Sequence, residues 1–210
     1  MRIIAGQRRG MNLFGPKGLV SRPITDRAKE SLFNVLQKYT PMESCCVADL
    51  FCGVGSLGLE ALSRGAKEAV FVDTDRAVLE ILKKNIAKAG FGAQTRVVCA
   101  NAFKIGAPKS LGGQKYSLVF VDPPYEMSKD SSEESRLAGL LRLLAEQLTD
   151  DGLVTVRTEK RVALLDSYGS LRITDRRIWS STAVTFLALK KDDKQTRCDI
   201  GSQAIEKAGV

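Results

Sequence analysis

Histidine is absent from this 210-residue sequence. That absence removes Ser-His-Asp and Cys-His nucleophilic catalysis, and with them the common imidazole general base. What remains for chemistry is carboxylates, hydroxyls, amides and backbone groups. Cysteine is scarce and unpatterned: Cys45, Cys46, Cys52, Cys99 and Cys198 form an odd set without a C-x-x-C spacing. Neither a disulfide framework nor a zinc site is expected, and the thiols read as free. Long apolar runs are also missing; none approaches the ~20 residues that cross a bilayer. The stretch from Met1 to Arg9 lacks the apolar core of a secretion signal. These absences predict a cytoplasmic protein with no metal and no membrane partner. A monomer is also expected, independently of these absences.

The length suits one well-buried domain. Hydrophobic residues make up 44% and charged residues 27%, the balance of an ordinary globular protein. The net charge of +8 is uneven, because residues 1–40 carry eight Lys/Arg against two Asp/Glu. A basic first segment on a nearly balanced body points to a polyanionic partner. Its candidate contacts are Arg2, Arg8, Arg9, Lys17, Arg22 and Arg27.

Gly6, Gly10, Gly15 and Gly18 bound short apolar pieces at Ile3-Ile4 and Met11 to Phe14. This pattern predicts a small hairpin or extended arm. Thr25-Asp26 can cap a helix running to about residue 38, with Ala28, Leu32, Val35 and Leu36 on one face. From Cys46 onward, strands and helices alternate. Strands are expected at 46–51, 68–73, 95–100, 116–121 and 153–156, with helices at 56–64, 75–89 and about 133–148. Two further β-rich pieces near 170–177 and 182–189 suggest an antiparallel hairpin at one edge. Apolar strands alternating with helices mean a mainly parallel sheet covered on both faces. Residues 191–210 are polar and aperiodic, and are expected to form a loose tail.

Asp49-Leu50-Phe51-Cys52-Gly53-Val54-Gly55-Ser56-Leu57-Gly58 lies where a strand passes into a helix, and contains G-x-G-x-x-G. Asp73 ends the next strand, 18 residues beyond Gly55, where a carboxylate can accept from ribose hydroxyls. This pattern alone serves a nicotinamide cofactor or S-adenosylmethionine. Asp49, before the loop, favours the second: it would repel a pyrophosphate but can hold a cationic amino-acid group. Asn101-Ala102-Phe103 follows the third strand and is a candidate for the adenine. The cofactor candidates are therefore Asp49, Phe51, Gly53, Gly55, Asp73, Asn101 and Ala102.

Asp122-Pro123-Pro124-Tyr125 follows the strand Val119-Phe120-Val121. Two prolines stiffen the backbone and remove two N–H donors, so the corner offers acceptors beside an aromatic ring. Such a surface suits an amino group on a flat base. The N–H protons can be accepted, the nitrogen lone pair aimed at a sulfonium methyl, and the base stacked on Tyr125 for ~1–3 kcal/mol. Positioning and electrostatics then do most of the catalysis, as a chain without histidine requires.

Four blocks carry a resemblance: Arg2 to Gly10, Arg22-Pro23-Ile24-Thr25-Asp26-Arg27 with Glu30 to Asn34, Asp49 to Gly65, and Val119 to Tyr125. In order and spacing they resemble the bacterial small-subunit ribosomal RNA guanine-N2 methyltransferase D family, over about residues 1–190. The resemblance implies an α/β class I methyltransferase: a Rossmann-like seven-stranded sheet of order 3-2-1-4-5-7-6 with the last strand antiparallel. It also implies methylation of one guanine at N2 in small-subunit rRNA, within a ribosomal particle, with Asp122, Pro123, Pro124 and Tyr125 holding the amine. The family often carries Glu where this sequence has Asp73, and residues 191–210 extend past its usual end. The expected organisation is an N-terminal basic arm at 1–24, a methyltransferase domain at 25–190 and a tail at 191–210. The rival functions are a DNA adenine-N6 or other amino methyltransferase using the same corner, an NAD-dependent dehydrogenase, and a silent RNA-binding module.

Overall fold

The computed structural model describes residues 1–16 and 24–190. Lys17, Arg22 and the expected tail at 191–210 lie outside the described residues.

Five strands form the first part of one sheet: β1 (Cys46–Leu50), β2 (Glu68–Asp73), β3 (Thr95–Cys99), β4 (Tyr116–Val121) and β5 (Leu148–Glu159). Pairs β1–β2, β1–β4, β2–β3 and β4–β5 are all parallel. Every residue of β1 is buried, as expected where helices cover both faces of a parallel sheet. The chain then adds β6 (Ser167–Tyr168), β7 (Leu171–Trp179) and β8 (Thr182–Leu189), each antiparallel to its partner. The full order is β3-β2-β1-β4-β5-β8-β7-β6. This is the expected order with one addition, the two-residue β6 at the outer edge. The last strand is not peripheral: β8 sits between β5 and β7.

The helices begin where side chains can satisfy their open N–H groups. Thr25 Oγ1 accepts from Ala28 N at the start of α1 (Asp26–Leu36), and Asp75 Oδ1 from Ala77 N and Val78 N at the start of α3 (Arg76–Ala89). Ser135 Oγ accepts from Ala138 N ahead of α6 (Arg136–Gln147). The others are α2 (Ser56–Ser63), entered through Gly55, and two single turns, α4 (Ala102–Ile105) and α5 (Tyr125–Ser128). Neither single turn was anticipated. No helix among the described residues is long and apolar enough to cross a membrane.

Residues 1–14 are a docked hairpin. Arg2 and Asn12 form an antiparallel bridge, Ile3 N donates to Met11 O (3.0 Å) and Gly10 N to Ile3 O (2.9 Å). Ile3 and Leu13 join the hydrophobic core. The hairpin is riveted to α2 by Glu60, which is fully buried. Its Oε2 accepts from Ile4 N (2.7 Å) and its Oε1 from Ala5 N (3.0 Å) and Arg64 Nε (2.8 Å). Lys29 of α1 lies 3.3 Å from the same carboxylate, also without exposure. At Gly6, φ is +80° and a Cβ would lie 1.8 Å from Ser63 O, so only glycine permits the close approach. The expected face of α1 gains Lys29 and Phe33, while Val35 is only partly buried. Lys29 is thus a structural ion, not a solvated one.

Candidate active site

The C-terminal ends of β1, β2 and β4 are stitched together by the backbone. Cys52 N donates to Val72 O (3.1 Å) and Asp122 N to Leu50 O (3.3 Å). The glycine loop, Asp73 and the Asp-Pro-Pro-Tyr corner therefore share one crevice, the usual ligand position in an open α/β sheet.

Within the loop the three glycines do different work. Gly53 has φ +53° and a Cβ there would meet nothing within 4 Å, so it borders open space. Gly55, at φ +86°, turns the chain into α2. Gly58 packs the helix on the sheet: its Cβ would lie 2.4 Å from Phe71 Cε1, and its N–H donates to Asp49 Oδ2 at 2.8 Å. Phe51 holds φ +59° without being glycine, a strained conformation of the kind concentrated at functional sites. Its ring packs on Phe103, centroids 4.9 Å apart.

Asp49 is 1% exposed. Burial pushes its carboxyl well above the usual carboxylate range; the Gly58 N–H and Arg157 oppose this, while the nearby Asp122 and Asp73 add to it. Asp73 shapes the loop with both oxygens, accepting from Gly53 N (2.9 Å) and Asp75 N (3.0 Å). Asn101 Oδ1 caps α4 through Phe103 N (3.0 Å), and Ala102 is buried behind it. The amide oxygen of Asn101 is thus committed to the helix.

At the corner, Pro123 is buried, Pro124 exposed, and Asp122 and Tyr125 partly enclosed. Asp122 Oδ1 accepts from Arg157 Nε at 2.5 Å. Burial raises the Asp122 pKa and Arg157 pulls it back. The hydroxyl of Tyr125 lies 3.1 Å from Thr182 Oγ1 of β8. Arg157 and Thr182 are neighbours of the corner that sequence reasoning missed. The only signal for Arg157 is a cation directly after the β-rich stretch Leu153 to Val156.

Of the basic candidates, Arg2 pairs with Asp26 (2.8 Å). Arg8 donates from Nε to Ala89 O (2.6 Å) and stands 5.7 Å from the Phe91 ring. Arg9 and Arg27 are both exposed.

A doubly wound sheet with this glycine loop, this strand-end acid and this corner defines a Rossmann-like methyltransferase. The chain belongs to the ribosomal RNA small subunit methyltransferase D family: the family model described as conserved hypothetical protein 95 matches residues 1–188. It is 40% identical over 161 residues to ribosomal RNA small subunit methyltransferase D of Escherichia coli, covering 76% of this chain and 75% of that protein. It is 32% identical over 189 residues to YlbH of Bacillus subtilis, covering 88% and 96%. The solved structure of Escherichia coli yhhF superposes with a TM-score of 0.74 at 32% identity, covering 91% of this chain and 99% of that one.

Proposed function

We propose that the protein transfers a methyl group from S-adenosylmethionine to the exocyclic N2 of a guanine in small-subunit ribosomal RNA. The observation that carries this reading is the joining of the Asp122–Tyr125 corner to the glycine loop through Asp122 N and Leu50 O. An amine acceptor and a cofactor loop thereby meet at one crevice. The relatives named above for small-subunit rRNA methylation support the choice of substrate.

The residues present fit the cofactor. Gly53 opens on free space, and Asp49 and Asp73 supply carboxylates suited to a cationic amino-acid group and to ribose hydroxyls. No Lys or Arg lies between Asp49 and Ser63, as a bound pyrophosphate would favour. When bound, S-adenosylmethionine supplies a methyl group made electrophilic by its sulfonium. The chain does the rest by orientation. Asp122 accepts an N–H of the amine, and the ring of Tyr125, held by Thr182, gives the base a surface to stack on. The amine loses one proton for the methyl it gains, and we assign the Asp122 carboxylate as the first acceptor. The Asn101–Phe103 turn and the Phe51 ring form the assigned adenine wall.

The test is transfer of labelled methyl to unmodified small-subunit particles, followed by digestion to nucleosides. Label in N2-methylguanosine is expected. Label in N6-methyladenosine, or transfer to DNA in preference to RNA, would replace the guanine reading with the amino methyltransferase alternative.

A further inference from the structure

Arg157 bonds to Asp122 and stands near the ring of Tyr125. It follows Val156, which pairs with Val121 in the parallel β4–β5 register, so it stands beside Asp122. Its Nε donates to Asp122 Oδ1 at 2.5 Å, with the two side chains 13% and 17% exposed. Its guanidinium carbon is 6.0 Å from the centroid of the Tyr125 ring. A guanidinium is planar and donates in fixed directions, so this contact sets the rotation of the carboxylate as well as compensating its charge.

We infer that Arg157 is a positioning residue for methyl transfer: it holds one oxygen of Asp122 so that the other is presented to the substrate amine. This inference rests on the amino methyltransferase reading. Charge supports the geometry. Asp122 is enclosed beside Asp49 of β1, itself a buried carboxylate near Asp73 of β2, and Arg157 of β5 is a cation acting on both Asp122 and Asp49. Without it, burial raises the Asp122 pKa unopposed; the carboxylate loses its fixed orientation and, on the acid side, is already protonated and closed to the amine's proton. Lysine at 157 would keep the charge without the planar fork, so orientation and charge can be separated.

Arg157→Gln and Arg157→Lys, alone and combined with Asp122→Asn, test the inference. For Arg157→Gln the expected result is a loss of kcat on the order of tenfold to a hundredfold. The acid limb of its pH–rate profile should move up by about one pH unit or more, with cofactor affinity in calorimetry within twofold of the parent. Arg157→Lys should keep the acid limb near its original pH and recover part of kcat. In the Asp122→Asn background the glutamine substitution should have little further effect, because Arg157 acts through the carboxylate. Titration of the Asp122 carboxyl by carbon NMR gives a readout independent of substrate, and its midpoint should rise in Arg157→Gln. An unmoved midpoint, or equal losses of kcat in both backgrounds, overturns the inference. So does faster turnover in Arg157→Gln, which would mean that the guanidinium occupies the amine's own acceptor in the resting protein. Absence of transfer by the unsubstituted protein would overturn the functional reading itself, and the NMR titration would still report whether the ion pair exists.

Discussion

Asp49 is an acid in a place where an acid is costly. Its pKa is raised by burial, so the folded state binds its proton more tightly than the unfolded chain does. Ionisation above the unfolded value of about 4 therefore subtracts stability, increasingly until the pH passes the folded pKa. Asn at this position keeps an acceptor for the Gly58 N–H and removes the charge. Asp49→Asn should raise Tm by a few degrees at neutral pH, ~2–4 °C for each kcal/mol recovered, with no gain below about pH 4. It should also weaken binding of the cationic cofactor. For the parent protein, cofactor affinity should rise with pH and level off, with proton release visible by calorimetry in two buffers of different ionisation enthalpy. A pH-independent affinity would remove Asp49 from the cofactor site. At Tyr125 the hydroxyl is occupied by Thr182, so the ring and not the phenol carries the assigned role. Tyr125→Phe should reduce kcat only a fewfold, and Tyr125→Ala should lose on the order of tenfold or more in kcat/KM from stacking of ~1–3 kcal/mol. If the two substitutions were equally damaging, the hydroxyl would have a chemical part.

The hairpin, α1 and α2 meet on one buried carboxylate, and Glu60 is where they can be separated. Glu60→Gln would leave Lys29 without its buried counter-ion, at a cost of ~3–5 kcal/mol. Denaturant unfolding should show that loss, and hydrogen exchange at the Ile4 and Ala5 amides should accelerate. An unchanged midpoint with both amides still protected would show that the hairpin is held elsewhere. This cluster also marks the limit of what the sequence made legible. The helix faces, the parallel strands and the glycine loop follow from spacing within single segments, and each was read correctly in type. Lys29 reads as one more charge in a basic segment, because its partner is 31 positions away and nothing local forecasts the pairing. Arg157 and Thr182 look like ordinary strand residues until β5 is laid between β4 and β8. The strand at 153–156 was read short for a related reason. Thr149, Asp150 and Asp151 carry no apolar pattern, yet β5 begins at Leu148 through its pairing with Tyr116. The corner was legible because two prolines and an acid constrain their own backbone.

Over the whole molecule, the net charge of +8 favours a polyanion, but the structure divides the basic residues of the hairpin. Arg8 is tied to Ala89 O and leans on Phe91, whereas Arg9 is exposed. Arg9→Ala should reduce the log-affinity versus log-salt slope for RNA by about 0.7–0.9 and leave stability unchanged. Arg8→Ala should lower Tm as well, since it also gives up a hydrogen bond to the body. An Arg9→Ala slope identical to the parent's would take that residue out of the RNA contact. The insertion of β8 between β5 and β7 has a further consequence, in the timing of synthesis. Until residues 182–189 leave the translating ribosome, β5 has one open edge and Tyr125 lacks the Thr182 hydroxyl. Among the described residues, the Asp-Pro-Pro-Tyr corner is thus completed late, although its four residues emerge some sixty positions earlier. A nascent chain halted before Thr182 would carry a complete glycine loop and an unfinished corner, and on the proposed reading the onset of catalytic competence would be set by the arrival of β8.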